Sequence, residues 1–164
     1  MRYDRSRFFV TSCLGGLLLI AVGCAPTVGK TPDEGSTMPA SIVEPYLEIA
    51  ATLADDKTDN IRANAGNIAT AATALGAPAM KIDTAALQLS AAAAAAEPDI
   101  HAVRERFGVL SEAIDTYMKG LKLKAPDGVR VAYCPMVDKP WMQRGDSLAN
   151  PYYGSEMLTC GNFR

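Results

Sequence analysis

The sequence is poor in the residues that most enzyme centres require. It contains a single histidine, His101, and it has neither a glycine-rich phosphate loop nor a paired-carboxylate motif. His101 follows an apolar residue near the start of a predicted helix, which favours a solvated position on the outer face. A cysteine–histidine catalytic pair would need a cysteine to approach that face, and no feature of the sequence predicts such an approach. We therefore expect a binding or structural protein and not an enzyme.

The chain also lacks an excess of positive charge and a long apolar run. It has 16 Lys and Arg residues against 18 Asp and Glu residues, which gives a formal net charge of −2 at pH 7. Because nucleic-acid binding needs clustered Lys and Arg side chains, we expect no nucleic-acid partner. The apolar run of residues 8–22 is interrupted by Thr11 and Ser12, and it is shorter than the roughly 20 residues that a transmembrane helix needs.

The N-terminus instead predicts export. Residues 8–22 follow a basic start and end at Ala21-Val22-Gly23-Cys24, which is the pattern of a secretory signal peptide. These four residues resemble the lipobox of bacterial lipoproteins. The resemblance implies that residues 1–23 are a signal peptide that is removed, and that Cys24 then carries the lipid. The alternative is an ordinary signal peptide that is cut near Ala25.

Lipidation would also decide the location of the protein. More than one acyl chain gives stable anchoring, so the lipobox implies a membrane partner through the lipid anchor at Cys24. Ala25 is not the aspartate that retains lipoproteins in the inner membrane. The resemblance therefore implies a periplasm-facing protein of the outer membrane. Residues 24–40 are rich in Pro, Gly, Ser and Thr without an apolar period, which predicts a flexible tether after the lipidated cysteine.

A single domain is expected over residues 41–164, with helices in residues 41–124 and a C-terminal cap in residues 125–164. Apolar periodicity predicts helices over about 41–53, 59–75 and 84–96. The fourth helix, over about 98–121, has apolar residues spaced like an a/d seam, namely Ile100, Val103, Phe107, Leu110, Ile114, Tyr117 and Leu121. The sequence therefore predicts an all-α fold, an antiparallel four-helix up-down bundle. Its irregular cap would contain Cys and Met residues and at most a short β-strand near residues 129–133.

Two sulfur-bearing arms of the cap form the candidate site. Cys134-Pro135-Met136 lies near its start, and Met157-Leu158-Thr159-Cys160 lies near its end. Between them, Asn150-Pro151-Tyr152-Tyr153-Gly154 favours a tight reversal of the chain. Such a reversal would bring the two arms side by side, so that their sulfur atoms converge.

Three interpretations of the sulfur atoms remain open. The first is a Cys134–Cys160 disulfide, which suits an oxidising compartment and would contribute roughly 3.5 kcal/mol in the chain-entropy model. The second is a Cu(I) site with Cys134, Met136, Met157 and Cys160 as ligands, because soft sulfur ligands select soft ions. Zinc is disfavoured because thioethers are poor zinc ligands. In the third, Met136, Met142 and Met157 only fill gaps against the helices.

The cap also resembles a bacterial domain of unknown function. The matching residues are Tyr133-Cys134-Pro135-Met136, Trp141, Asn150-Pro151-Tyr152-Tyr153-Gly154 and Met157-Leu158-Thr159-Cys160-Gly161, with Arg104, Phe107, Leu110 and Ser111 in the last helix. That domain occurs alone in lipoproteins and periplasmic proteins. It also occurs fused to the C-terminus of Cus-type adaptors, the membrane-fusion subunits of heavy-metal efflux pumps. The resemblance implies a helical bundle with a Cys/Met hook, raises the metal interpretation to the level of the disulfide, and implies no catalytic residue.

Two functions follow from these patterns. The first is a periplasm-facing lipoprotein that binds or senses Cu(I) or Ag(I) at Cys134, Met136, Met157 and Cys160. Its partner would be a heavy-metal efflux adaptor or another periplasmic protein. The second is a structural or interaction lipoprotein whose cap is locked by a Cys134–Cys160 disulfide and which holds no metal.

Overall fold

The computed structural model of the chain describes residues 30–164. The predicted signal peptide, Cys24 and the first part of the predicted tether lie outside the described residues. Among the helices of residues 30–164, none is both long enough and apolar enough to cross a membrane.

Four α-helices form the first part of the fold. They are α1 (Ala40–Ala54), α2 (Ile61–Leu75), α3 (Met80–Ala92) and α4 (Ile100–Gly120). Each helix packs against the next in chain order. The seam predicted for α4 is confirmed over its centre. Its seam residues between Val103 and Tyr117 are buried, while Ile100 and Leu121 at its ends are half-buried. A helix with such a seam packs along most of its length, because every seam position reaches a neighbouring element.

The third helix is shifted from its predicted position. It was expected over residues 84–96, but it begins at Met80 and ends at Ala92. Pro78 lies in a 3₁₀ turn (Ala77–Ala79) that leads directly into α3, and proline is well suited to a first helical turn. Beyond the helix, the three residues 94–96 are exposed alanines. A high helix propensity alone does not hold a segment in a helix when it has little apolar surface to bury.

The prediction of an all-α four-helix bundle is wrong, because the cap contains a three-stranded antiparallel sheet. Its strands are β1 (Val129–Cys134), β2 (Lys139–Arg144) and β3 (Asn162–Phe163), in the order β2-β1-β3. The β1–β2 register runs from the pair Val129–Arg144 to the pair Cys134–Lys139. The protein is therefore a mixed α/β fold, in which only β1 corresponds to the predicted short strand.

The sheet lies against α1 and α4 and joins these two helices. Strand β2 packs against both of them. The Tyr46 ring of α1 stacks on Phe107 of α4, with ring centroids 5.1 Å apart. The Tyr46 hydroxyl lies 2.7 Å from the Ser111 hydroxyl and accepts a hydrogen bond from the backbone N–H of Met142 in β2. Aromatic side chains and a strand thus occupy the side of the structure where the predicted bundle would have closed helix on helix.

The end of the predicted tether belongs to the folded part. Thr37 forms a parallel bridge with Lys124, and the Met38 N–H donates to the Lys124 carbonyl over 2.9 Å. Met38 is 1% exposed and lies in the hydrophobic core. The fold therefore begins before Ser41, because the residues just ahead of α1 pair with the segment that follows α4.

Candidate functional site

Residues 145–161 of the cap fold back onto the sheet. Gln143, which is buried in β2, organises this contact through its side-chain amide. Its Oε1 accepts from Trp141 Nε1 over 2.9 Å and from the Ala149 N–H over 3.0 Å, and its Nε2 donates to the Ser147 carbonyl over 2.7 Å. At the far end of the segment, Gly161 lies so close to the Trp141 ring that a β-carbon there would overlap it.

The predicted reversal at residues 150–154 is confirmed. The chain turns over residues 151–153, and the Gly154 N–H donates to the Asn150 carbonyl over 3.0 Å. Gly154 has φ +57°, and a β-carbon on it would overlap the Asp56 carboxylate and the Arg104 guanidinium. A glycine is therefore required at the end of the turn by both its backbone conformation and its surroundings.

The reversal brings Cys134 and Cys160 to the same end of the sheet. Cys134 is the last residue of β1 and is fully buried, whereas Cys160 precedes β3 and is half-buried. The pairing of Tyr133 with Asn162 sets these two segments side by side. Asn150 Nδ2 donates to Cys134 Sγ over 3.3 Å and to the Cys160 carbonyl over 2.7 Å. Both cysteines are free thiols.

The two predicted methionine ligands lie in turns next to these cysteines. Met157 is half-buried, and its carbonyl accepts a hydrogen bond from the Cys160 N–H over 2.9 Å. Met136 lies in the turn of residues 135–138 between β1 and β2 and is 62% exposed. The gap-filling interpretation therefore fits Met142, which is buried, and does not fit Met136.

The donor set of this end of the sheet suits a soft ion. Within residues 30–164, no group of three or more His, Cys, Asp or Glu side chains lies close enough to hold a metal ion. A hard divalent cation would need such oxygen ligands, and a structural zinc site would need four thiolate or imidazole ligands. Two thiols, with methionines in the adjacent turns, are instead the residue types that Cu(I) prefers.

A second polar cluster ties the cap to the helices, and sequence reasoning missed its role. We call it the clamp; it consists of Asp56 after α1, Arg104 of α4 and Ser155 of the cap. Arg104 Nη2 donates to Asp56 Oδ1 over 2.6 Å and to the Leu53 carbonyl over 2.9 Å, and its Nε donates to the Pro151 carbonyl over 3.1 Å. Arg104 is only 8% exposed. The sequence singled out Arg104 as part of the resemblance and as a charged residue next to a seam position, but neither signal indicated its partner.

The clamp also changes the acidity of its carboxyl group. The Ser155 N–H donates to Asp56 Oδ2 over 3.0 Å, on the opposite oxygen from Arg104. These hydrogen bonds from Ser155 and Arg104 lower the pKa of the Asp56 carboxyl from 3.8 to about 2. Hydrogen bonds to an ionised group favour its charged form. Asp56 is therefore a carboxylate over the whole neutral and mildly acidic range.

An aromatic series connects the clamp side of the cap to the sheet. Tyr152 lies between Phe107 of α4 and Trp141 of β2, with ring-centroid distances of 5.7 and 6.0 Å. Its hydroxyl donates to the Pro140 carbonyl, and burial raises its pKa well above the usual value of 10. Tyr152 is thus neutral. Because it follows Asn150 by two residues and contacts Phe107, it connects the cysteine end of the sheet to the helices.

Comparison with protein-family models, with curated proteins and with solved structures gives no match to this chain.

Proposed function

We propose that this chain is a lipoprotein module that binds a soft metal ion, Cu(I) or Ag(I), with Cys134 and Cys160 as its thiolate ligands. The observation that carries the proposal is that the buried side-chain amide of Asn150 donates both to the Cys134 sulfur and to the backbone carbonyl of Cys160, which places the two residues side by side. Two thiolates at one end of a sheet would form a soft-ligand pair, and soft sulfur ligands suit Cu(I).

The charge of a thiolate at Cys134 would be offset mainly by the bound ion itself. Lys139 lies opposite Cys134 in the sheet, but its charge is already paired, since its Nζ lies 2.6 Å from Glu112 Oε2. The side-chain hydrogen bond to Cys134 Sγ comes from a neutral amide. A pair of thiolates would therefore carry most of the local negative charge, and a bound cation would offset part of it.

Methionine sulfur atoms would complete the coordination. Met157 is hydrogen-bonded through its backbone to Cys160, so its thioether starts from the same turn as one thiolate. Met136 follows Cys134 by two residues and is 62% exposed, which leaves its flexible side chain free to turn toward an ion. We expect the ion to reach half-buried Cys160 first and then the fully buried Cys134.

The rest of the proposal has its basis in the sequence. It includes the lipid anchor at Cys24, the periplasm-facing location at the outer membrane, and an efflux adaptor or another periplasmic protein as the acceptor of the metal. We propose binding and not catalysis, because the single histidine, His101, is exposed in the first turn of α4 and lies outside the cap.

The second candidate is a structural lipoprotein whose cap is held by a Cys134–Cys160 disulfide, without metal. The same convergence favours it, because β1–β3 pairing sets the two cysteine-bearing segments side by side. Bond formation would remove both thiolates, so the two candidates exclude each other in any one molecule.

The deciding experiment has two stages. Free thiols are first counted, after denaturation, in wild-type protein and in Cys134→Ser protein isolated from membranes without reductant. The reduced full-length chain is then titrated with Cu(I) against a chromogenic chelator. We expect one more free thiol in the wild type than in the variant. In the titration, each of Cys134→Ser and Cys160→Ser should lower the Cu(I) affinity of the protein. The decrease should exceed the roughly 10–100-fold that the loss of a supporting contact causes.

The chain offers a matched control for the methionines. Met136 and Met80 are both 62% exposed, but Met80 lies at the start of α3. We expect Met136→Leu to weaken Cu(I) binding and Met80→Leu to leave it unchanged. Equal behaviour of these two variants would remove Met136 from the ligand set.

Unchanged affinity in both cysteine variants, or a fully oxidised native protein, would rule out the metal proposal, and the oxidised protein would favour the disulfide.

A further inference from the structure

Asn150 is fully buried, and every hydrogen-bonding group that it has is used. Its Nδ2 donates to Cys134 Sγ and to the Cys160 carbonyl, and its Oδ1 accepts from the Tyr152 N–H over 2.8 Å. Its backbone N–H donates to the Leu158 carbonyl over 2.7 Å, and its carbonyl accepts from Gly154. One side chain thus connects the end of β1, the reversal and the segment before β3.

The orientation of the Asn150 amide is determined by these partners. If the amide were rotated by half a turn, Oδ1 would face the Cys160 carbonyl oxygen, and the NH₂ group would face the Tyr152 N–H. Two acceptors and two donors would then oppose each other. The hydrogen-bond network therefore requires that an N–H of Asn150 points at the Cys134 sulfur.

That N–H matters when the sulfur carries charge. Cys134 is 0% exposed, and a buried thiolate is unfavourable without a polar partner. In residues 30–164, Asn150 is the one side chain that hydrogen-bonds to this sulfur. Hydrogen bonds from the surroundings to metal ligands orient them and adjust their affinity for the metal.

We infer that Asn150 is the positioning residue of the site: its amide aims the Cys134 thiolate at the ion, offsets part of the charge on the sulfur, and holds Cys160 alongside. This inference rests on the proposed soft-metal function. Asn150 acts through Cys134 and is not itself a ligand, because both hydrogens of its NH₂ group are directed at sulfur and carbonyl acceptors.

The test is a double-mutant cycle with Asn150→Asp and Cys134→Ser. Asn150→Asp keeps the size of the side chain and the acceptor for the Tyr152 N–H, but it replaces the donor with an oxygen. We expect it to lower the Cu(I) affinity of the reduced full-length chain by roughly 10–100-fold. In the Cys134→Ser background the same change should lower the affinity by a clearly smaller factor, because the sulfur is absent and only the contact with the Cys160 carbonyl remains to be lost.

The cycle separates a positioning role from a structural one. A general loss of folding would reduce affinity equally in both backgrounds, and this result would overturn the inference while leaving the proposed function in place. Absence of Cu(I) binding by the wild type would overturn both. The urea midpoint of each metal-free variant is recorded in parallel, so that a loss of folding is recognised.

A measurement on the wild type covers the case in which Asn150→Asp does not fold. The side-chain amide protons of Asn150 are followed by ¹⁵N-resolved NMR during addition of Ag(I) to the reduced chain. We expect the resonance of the proton that faces Cys134 to change its chemical shift. The proton should stay protected from exchange with solvent. Binding of Ag(I) with no change at this proton would overturn the inference.

Discussion

Helices α2 and α3 bury a different kind of side chain from the cap. All the buried residues of α2 and α3 are Ala, Ile or Leu. The cap buries Trp141, Tyr152, Gln143 and Asn150 and receives Arg104 from α4. Apolar contacts are not directional, whereas buried polar groups need partners in fixed positions. The comparison indicates that α2 and α3 supply a tolerant scaffold, and that the geometry of the sulfur atoms depends on hydrogen bonds in and around the cap.

The largest effect is expected where the two regions meet. Phe107 is fully buried, stacks on Tyr46 of α1 and contacts Tyr152 of the cap. We expect Phe107→Ala to lower the free energy of unfolding by about 3–5 kcal/mol, because it leaves a cavity in the core. Urea unfolding followed both by helix circular dichroism and by the fluorescence of Trp141, the single tryptophan, should give one coincident transition. Phe107→Leu should lower the free energy of unfolding by less than Phe107→Ala does. Loss of the Trp141 signal at lower urea than the helix signal would show that the two regions unfold separately.

The next largest effect is expected at the clamp. Arg104→Met retains the length of the side chain but removes the hydrogen bonds to the Leu53 and Pro151 carbonyls. We expect a loss of about 2–4 kcal/mol in the free energy of unfolding, since buried acceptors lose their partners. Arg106, two residues along α4, is exposed, and Arg106→Met should change the same quantity by less than about 0.5 kcal/mol. Similar losses in the two variants would contradict the role that we give to the clamp.

The helices were largely predictable from the sequence, and the sheet was not. The α4 seam appears because a helix that packs along its length repeats its apolar residues every three or four positions. Strand β2 shows no alternation, since its four positions 140–143 are all buried. Pro140 lies within β2, but β2 is an edge strand, where proline is tolerated. Periodic patterns therefore identified the helices and could not identify a strand that is covered on both faces.

The candidate site was predictable only in part. The reversal at residues 150–154 has local turn chemistry, so the approach of Cys134 and Cys160 could be expected from the sequence. The side-chain amide of Asn150 and the Arg104–Asp56 pair could not. Asp56 and Arg104 are 48 positions apart, and a contact of this kind arises from tertiary packing that no local pattern encodes. The polar part of the site is the part that depends most on the whole fold.

The acid dependence of stability should come in part from Asp56. Its pKa is about 2 in the folded chain against 3.8 for the free group, so unfolding takes up a proton at acid pH. The stabilisation is present above about pH 5 and is lost as the pH falls through 3.8 toward about 2. We expect the urea midpoint of the wild type to fall over this range more steeply than that of Asp56→Asn. Asp59, which is exposed a few residues later, provides the control, and Asp59→Asn should follow the wild type. Parallel curves for the wild type and Asp56→Asn would contradict the assignment.

The smallest expected effect is a change in the free energy of unfolding that has opposite signs in the two regions. Gly66 lies inside α2, and a β-carbon there would have no atom within 4 Å. Gly66→Ala should therefore raise the free energy of unfolding by about 0.4–1 kcal/mol, because it reduces the entropy of the unfolded chain. Gly154→Ala should lower it, since φ at this residue is +57° and the clamp already occupies the space of a β-carbon. Both changes are measured by urea unfolding under the same conditions. If Gly154→Ala were neutral, the clamp would have room to shift, and the cap would be as tolerant of substitution as the helices.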